Sequence, residues 1–327
     1  RPVHMGSLLP TLAARPDPQV LYGSSAGMVD SDVLRGLRDR GRQGNDRRLS
    51  YFEWGDPDPG TCKIATWNIN SVRLRMPIVA RYLQEHHPDV LCLQETKCRD
   101  AEFPHSAFRE LGYEHIEIHG QKGYHGVAIV SRRPLAKPAR RDFCNKGDAR
   151  HLTATVDAGG RTLELHNFYV PAGGDEPDPA ANPKFEHKLA FFDELAEWAR
   201  TEKPFERDAI LVGDINVAPL ETDVWNHKAL LSVVSHTPIE VDRLNAAMRA
   251  GQWVDAMRKF VLADQRLYTW WSYRSPDWRK ADKGRRLDHV WVSPSLVEAV
   301  GAMHVLKDAR GWDRPSDHVP VAVEIRV

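Results

Sequence analysis

Cysteine is scarce in this chain. Four occur in 327 residues, Cys62, Cys92, Cys98 and Cys144. They form neither the CxxC pairs of a zinc site nor the density of a secreted disulfide scaffold, so both classes are excluded and reduced, structural thiols are expected. Long apolar runs are missing as well, since none approaches the roughly 18 to 20 residues that a membrane span needs. The first residues lack the order of positive charge, apolar stretch and small residues that marks a secretory leader, so a cytoplasmic protein without membrane contact is expected. An excess of charge is also absent, with Lys+Arg at 45 and Asp+Glu at 45. No global basic field attracts a polyanion, and any nucleic-acid function must come from local patterning.

Apolar material is ample. Hydrophobic residues make up 42% of the chain, enough for one large core or two small ones. Residues 1–60 are rich in Arg, Asp, Gly and Pro and end in the turn-forming run Gly55-Asp56-Pro57-Asp58-Pro59-Gly60, which marks a domain boundary. They are expected to form an accessory N-terminal extension or an accidental fusion remnant, partly ordered at most, with residues 61–327 as the catalytic domain. Within the extension, LAARPDPQVLYGSSAG, RGLRDRGRQGNDRRL and YFEW resemble pieces of a phage terminase large subunit. The G-x-x-x-x-G-K-S/T loop that cradles a nucleotide phosphate is lacking, so no ATPase role is expected.

From Thr61 onward, apolar runs of strand length alternate with amphipathic segments, the mark of an α/β domain. CKIATW, DVLCLQ, GVAIVS, HLTATV, TLELHNFYV, AILVGD, LDHVWVS and VPVAVEIRV are the strand candidates. Ala158-Gly159-Gly160-Arg161 reads as a hairpin turn, so part of the sheet structure must be antiparallel. Phe185, Leu189, Phe192, Ala196 and Ala199 recur at helical steps, predicting an amphipathic helix from about Lys184 to Glu202.

Several of these strands end in an acid, an amide or an imidazole. Trp67 leads to Asn68, Gln94 to Glu95, Gly213 to Asp214, Leu287 to Asp288, and Ser316 to Asp317 and His318. One such residue is ordinarily a turn former or a helix cap. Five together point to groups held at the edge of a rigid scaffold. Asp214 and Asn216, two apart, face one way in an extended segment. Convergence would gather the carboxylates of Glu95, Asp214, Asp288 and Asp317, a concentration of negative charge that calls for a cation. Oxygen ligands favour magnesium or manganese over zinc.

The segments TWNINSVRLR (66–75), PDVLCLQETK (88–97), GQKGYHGVAIVSR (120–132), NFYVPAGG (167–174), ILVGDINVAP (210–219), WVDAMR (253–258), YTWWSYR (268–274), RRLDHVWVS (285–293) and RPSDHVPV (314–321) span nearly all of residues 61–327. In this order they resemble the exonuclease III and AP endonuclease family of the endonuclease, exonuclease and phosphatase superfamily. The resemblance implies a four-layer α/β sandwich, two packed mixed sheets flanked by helices. It implies a Mg2+-dependent DNA repair nuclease, in which Mn2+ can substitute, that incises abasic sites and trims 3′ ends of double-stranded DNA as a monomer, with 3′-phosphatase activity in addition. It further implies that Asn68, Glu95 and Asp317 bind the metal and that Tyr169 supports the scissile phosphate. Asp214 would deprotonate the attacking water, Asn216 would orient water or phosphate, and His318, oriented by Asp288, would donate to a phosphate oxygen. Asp214 and Asn216 would also supply any second metal subsite, which Asn70 makes doubtful because some family members have an acid there.

DNA contact is expected from basic residues near these motifs, with Lys97, Lys122, Arg274 and Arg286 foremost and Arg279, Lys280, Lys283 and Arg285 close by. The loop after Tyr169 departs from the family by carrying Asp175, Glu176 and Asp178, so it is not expected to hold DNA. Alternation along YTWWSYR predicts Trp271 and Tyr273 on one face and Trp270 on the other, and Trp270 stands at the family's lesion-pocket position. Two readings compete. A phosphodiesterase for lipid or inositol phosphates would share the strand-end motifs but not GQKGYHGVA or YTWWSYR, and an inactive DNA-binding module would not need the full acidic and amide set.

Overall fold

The structure, a computed structural model, describes residues 60–275 and 277–327. Except for Gly60, the expected extension and its terminase-like stretch lie outside the described residues. Two six-stranded sheets form the body. In the first, β1 (Thr61–Asn68), β2 (Val90–Gln94), β3 (His115–His119), β4 (Val127–Ser131), β13 (Val300–Val305) and β14 (Val321–Arg326) lie in the order β13-β14-β1-β2-β4-β3. In the second, β5 (Leu135–Arg140), β6 (His151–Asp157), β7 (Thr162–Tyr169), β8 (Ala209–Asp214), β9 (Val254–Asp255) and β12 (Asp288–Val292) lie in the order β5-β6-β7-β8-β12-β9. The pairs β1–β2 and β7–β8 are parallel and the expected hairpin joins β6 to β7 antiparallel, so both sheets are mixed.

Side-chain alternation explains the layering. Cys62 and Ile64 of β1, Val90 and Cys92 of β2, Leu163 and Leu165 of β7, Ile210 and Val212 of β8 and Val290 and Val292 of β12 form one core between the sheets. The intervening residues face outward. Ala65, Trp67, Leu91 and Leu93 pack on the helix α1 (Val72–His86). Phe168, Leu211 and Trp291 pack on α2 (Pro183–Glu202) and α3 (Pro238–Ala250). Strands covered on both faces must be apolar throughout, which is why the central ones read as unbroken apolar runs.

The helices are well punctuated. Asn182 caps α2 by accepting from the Lys184 backbone N–H, with Pro183 in the first turn, and Thr237 and Glu240 form a capping box at α3. Among the described residues no helix is long and apolar enough to cross a membrane.

Candidate active site

The inner-face parity of the strands builds the site. Continuing it to the end of each strand gives Asn68 on β1, Gln94 on β2, Tyr169 on β7, Asp214 on β8 and Asp288 at the start of β12. The core between the sheets therefore ends in a polar rim. Tyr169, Asp214 and Asp288 lie on one rung across β7, β8 and β12, and Asn68 pairs with Gln94. Asp288 opens its strand instead of closing it, but β12 runs antiparallel to β8, so both reach the same edge. Asp317 and His318 likewise precede β14, which is antiparallel to β1. Gly213 is required here: its φ is +138°, and a Cβ would stand 1.9 Å from the Phe168 carbonyl oxygen.

Ten of the predicted residues form one set, eight joined through hydrogen bonds and the His318–Asp288 pair set against them by an ion pair. Asn68 Nδ2 donates to Glu95 Oε1 at 2.9 Å and to Asp214 Oδ2 at 2.8 Å. The Tyr169 hydroxyl donates to Glu95 Oε1 at 3.0 Å. Asp214 Oδ1 accepts from the Asn216 backbone N–H at 3.0 Å, and the Asn216 amide donates to the Val170 carbonyl at 2.9 Å. His318 Nδ1 bonds Asp288 Oδ2 at 2.8 Å, while its Nε2 lies 3.6 Å from Asp214 Oδ2, an ion-pair distance too long for a hydrogen bond. Trp270 Nε1 donates to Asp317 Oδ2 at 2.9 Å. Lys97 Nζ meets Glu95 Oε2 at 2.8 Å and donates to Asn70 Oδ1 at 2.6 Å, and Asn70 in turn donates to Asp317 Oδ1 at 3.2 Å.

Burial sets the proton affinities. Asp214 is removed from water and faces Asp288 and Glu95, which together push its carboxyl up to about 7 against the opposing pull of His318. Burial alone would lower His318, but the carboxylates of Asp288 and Asp214 outweigh it and raise the imidazole to about 10. A carboxyl of raised proton affinity thus faces an imidazolium, an arrangement able to take and give protons. Glu95 is held low: burial opposes its ionisation, and the Lys97 ammonium with the Asn68 amide overcomes that.

Two carboxylate groupings offer themselves to a cation. Asp214, Asp288 and His318 have ligand atoms within 4.8 Å of one another, but His318 is itself a cation hydrogen-bonded into that group. The set expected from the sequence, Asn68, Glu95 and Asp317, would supply the oxygens that a hard divalent ion requires, but here Asn68 turns its Nδ2 to Glu95 and its Oδ1 accepts from the Asn70 backbone N–H. The Lys97 ammonium already neutralises Glu95 on that side.

Not every expected residue faces the cleft. Arg286, expected to contact DNA, is fully buried. Its guanidinium bonds Asp223 through Nε at 2.7 Å and Asp255 through Nη1 at 2.6 Å, so it is a structural residue and the expectation is corrected. Lys97 is committed to the acid cluster. Lys122 is exposed on the loop leading to β4, and Arg274 is exposed and lines a cleft of about 790 Å³ beside the cluster. Trp270 lines that cleft half-buried, whereas Trp271 is buried and bonds Asp282. Tyr273 does not share the face of Trp271: it is 48% exposed, because the strand there, β10 (Trp270–Trp271), ends after two residues.

Sequence reasoning passed over the supports. Gln94 Nε2 donates to Asn167 Oδ1 at 2.7 Å and ties the two sheets together behind the site, and the Ser316 hydroxyl donates to the Asn68 carbonyl at 2.6 Å. Lys188 had a signal, since a lysine between Phe185 and Phe192 at helical steps stands in the apolar stripe of α2.

A profile of the endonuclease/exonuclease/phosphatase family matches residues 65–318. The exodeoxyribonuclease III of Haemophilus influenzae is 30% identical over 273 residues, covering 81% of this chain and 100% of that one. An AP endonuclease from Archaeoglobus fulgidus superposes with a TM-score of 0.75 at 30% identity, over 81% of this chain and all of the other. A 3′ phosphatase from Neisseria bound to a product DNA hairpin gives 0.74 at 32% identity, with the same coverage of 81% and 100%.

Proposed function

The chain belongs to the endonuclease/exonuclease/phosphatase family, in its exonuclease III and AP endonuclease branch, and from that premise we propose that it is a magnesium-dependent DNA repair nuclease. It incises double-stranded DNA at abasic sites and removes nucleotides or phosphate from 3′ ends, as a cytoplasmic monomer. The observation that carries this reading is the rung of Tyr169, Asp214 and Asp288 with His318 set against both acids. A module that only bound DNA would have no use for a buried base beside a buried cation.

The residues divide the work of an in-line attack on phosphorus. Asp214 takes the proton of the attacking water, a role worth about 10² to 10⁴ in rate. His318, kept charged by Asp288, donates to a non-bridging oxygen. The Asn216 amide has spent one of its two N–H groups on Val170 and offers the other to the phosphate. Tyr169, whose hydroxyl is raised well above its ordinary range by burial and the neighbouring carboxylates, stays protonated and holds Glu95 in place. Asn68, Glu95 and Asp317 would hold one divalent ion, which supplies charge neutralisation at the phosphate and the leaving oxygen. A second subsite is not proposed, because the His318 imidazolium already faces the carboxylates of Asp214 and Asp288 there.

The cleft fits nucleic acid. Arg285 lies 5.4 Å over the Trp270 ring and Lys283 4.7 Å over Trp225, so aromatic surface and positive charge come together. Assaying one abasic duplex, its intact counterpart and a 3′-recessed duplex tests the reading: incision at the lesion and shortening of the recessed end are expected, and cutting of neither would overturn it. Trp270 is proposed to select the bare sugar, which is extruded more easily than an intact nucleotide. Trp270→Ala is expected to lower abasic incision about tenfold more than 3′ trimming, the ratio that 1.4 kcal/mol of lost contact gives. Trp270→Phe serves as the control for the lost bond to Asp317. Equal losses on both substrates with a lowered melting point would make the residue core.

Residues 61–327 are proposed to be sufficient for catalysis, because every site residue lies after Gly60. A chain shortened to begin at Thr61 should match the full chain in nuclease rate and thermal midpoint. A large loss in either would show that residues 1–60 contribute to the domain.

A further inference from the structure

Lys188 and Glu240 form an ion pair of 2.5 Å with both side chains at 0% exposure. Each lies within a helix, Lys188 on α2 and Glu240 in the first turn of α3, yet every bond they make beyond each other is to a loop or the α3 cap. The Lys188 ammonium donates to the Asn216 carbonyl at 2.8 Å and to the Ala172 carbonyl at 3.2 Å. With Glu240, that uses all three of its N–H groups. Glu240 accepts from the backbone N–H of Ser235 at 2.9 Å, from that of Thr237 at 3.1 Å, and from the Thr237 hydroxyl at 2.7 Å. Three segments therefore converge on one pair of charges: the loop after Tyr169, the loop after Asp214, and the turn that opens α3. Ala218 N–H closes the circle by donating to the Ser235 carbonyl at 2.8 Å.

Such a pair is poorly suited to stabilising a fold. The cost of taking two charges out of water commonly cancels their attraction, and apolar residues of similar volume often serve as well. What the pair supplies and apolar residues cannot is direction, because its bonds fix individual carbonyl and amide groups. Asn216 needs that direction. Its backbone sits in the left-handed region at φ +57°, where a residue other than glycine stays only if its surroundings hold it. Its amide must also point at the substrate from a loop without regular structure.

We propose that the Lys188–Glu240 pair is a positioning device for Asn216, locking the loop after Asp214 against the loop after Tyr169 so that turnover, and not substrate affinity or folding, depends on it. The inference rests on the nuclease reading above for its assay, so the wild-type protein is measured first on abasic and 3′-recessed duplexes. Failure there concerns the function, and the variants are then compared on whichever duplex the wild type cuts and by hydrogen exchange, which needs no activity.

The test is the double variant Lys188→Met/Glu240→Leu, which removes both charges and roughly keeps their volume. The proposal expects a melting temperature within a few degrees of wild type, KM within about twofold and kcat lower by about 10²-fold, the loss that a misplacement of about 1 Å can cause. It also expects faster amide exchange at Ala218. Introduced into Asn216→Ala, the same pair of changes should cost little more, because groups acting through one another are not additive. Unchanged kcat and unchanged Ala218 exchange would overturn the proposal. So would a collapsed melting temperature in the double variant, or a full additional loss in the Asn216→Ala background, since either makes the pair a structural element without a particular tie to Asn216.

Discussion

Asp214→Asn lowers turnover by about 10² to 10⁴-fold while DNA affinity stays within a few-fold of wild type. The expectation follows from the geometry. Asp214 is almost wholly buried, and its two oxygens accept from Asn68 and from the Asn216 backbone. An asparagine keeps the shape and the bond to Asn216 but turns a second N–H group toward Asn68, at a cost of about 1 kcal/mol for the lost hydrogen bond. The fold absorbs that. The chemistry does not, because an amide cannot take a proton from water, and because His318 loses one of the three carboxylates, with Asp288 and Asp317, that keep it charged. Single-turnover rates and binding by fluorescence anisotropy, with a melting curve alongside, separate these effects. A variant keeping more than half of wild-type turnover would remove Asp214 from the role of base.

The second large effect concerns stability. Arg286→Ala is expected to destabilise the protein by about 3 to 5 kcal/mol, the usual consequence of stripping one partner from a buried ion network. For a domain of this size that lowers the melting temperature by roughly 10 °C. Asp223, itself fully buried, keeps Arg258 and the Leu220 backbone N–H but loses its second guanidinium, and Asp255 loses its guanidinium partner. The salt dependence of DNA binding should be unchanged, since no phosphate contact is removed. A normal melting temperature with weakened, less salt-sensitive binding would restore the contact role that the sequence suggested.

Arg286 shows where reading the chain stops. In RRLDHVWVS two arginines precede a strand that starts at the rim, and charge pattern alone cannot say which one is enclosed. Burial is decided by Asp223 and Asp255, which lie 63 and 31 positions away in the chain. The strands show the same division. Each one read from an apolar run is central or next to an edge, whereas β3, β5, β9 and β13, which were not anticipated, are the edges of the two sheets. An edge strand is covered less completely, so HIEIH and LAKPAR carry polar and exposed residues and lose the signature. The site was legible for the opposite reason. Each strand that ends at the rim continues an inner-face parity, and a polar residue at that step interrupts an otherwise apolar run. Lys188 shared this property on a helix, where charged residues are common enough to hide it. Tyr273 escaped because alternation holds only while the strand lasts.

The proposed nuclease centre is the inter-sheet rim, where strand-end oxygens would hold a divalent ion next to a buried base. Its most direct test is a duplex carrying one abasic site, incubated with the protein in EDTA and again after adding magnesium or manganese, with Glu95→Ala in parallel. A divalent-ion site at Glu95 predicts no incision in EDTA, full recovery with either ion, and a Glu95→Ala protein that folds normally but needs a higher ion concentration to cut. Undiminished incision in EDTA, or a Glu95→Ala protein with the ion requirement of wild type, would contradict it.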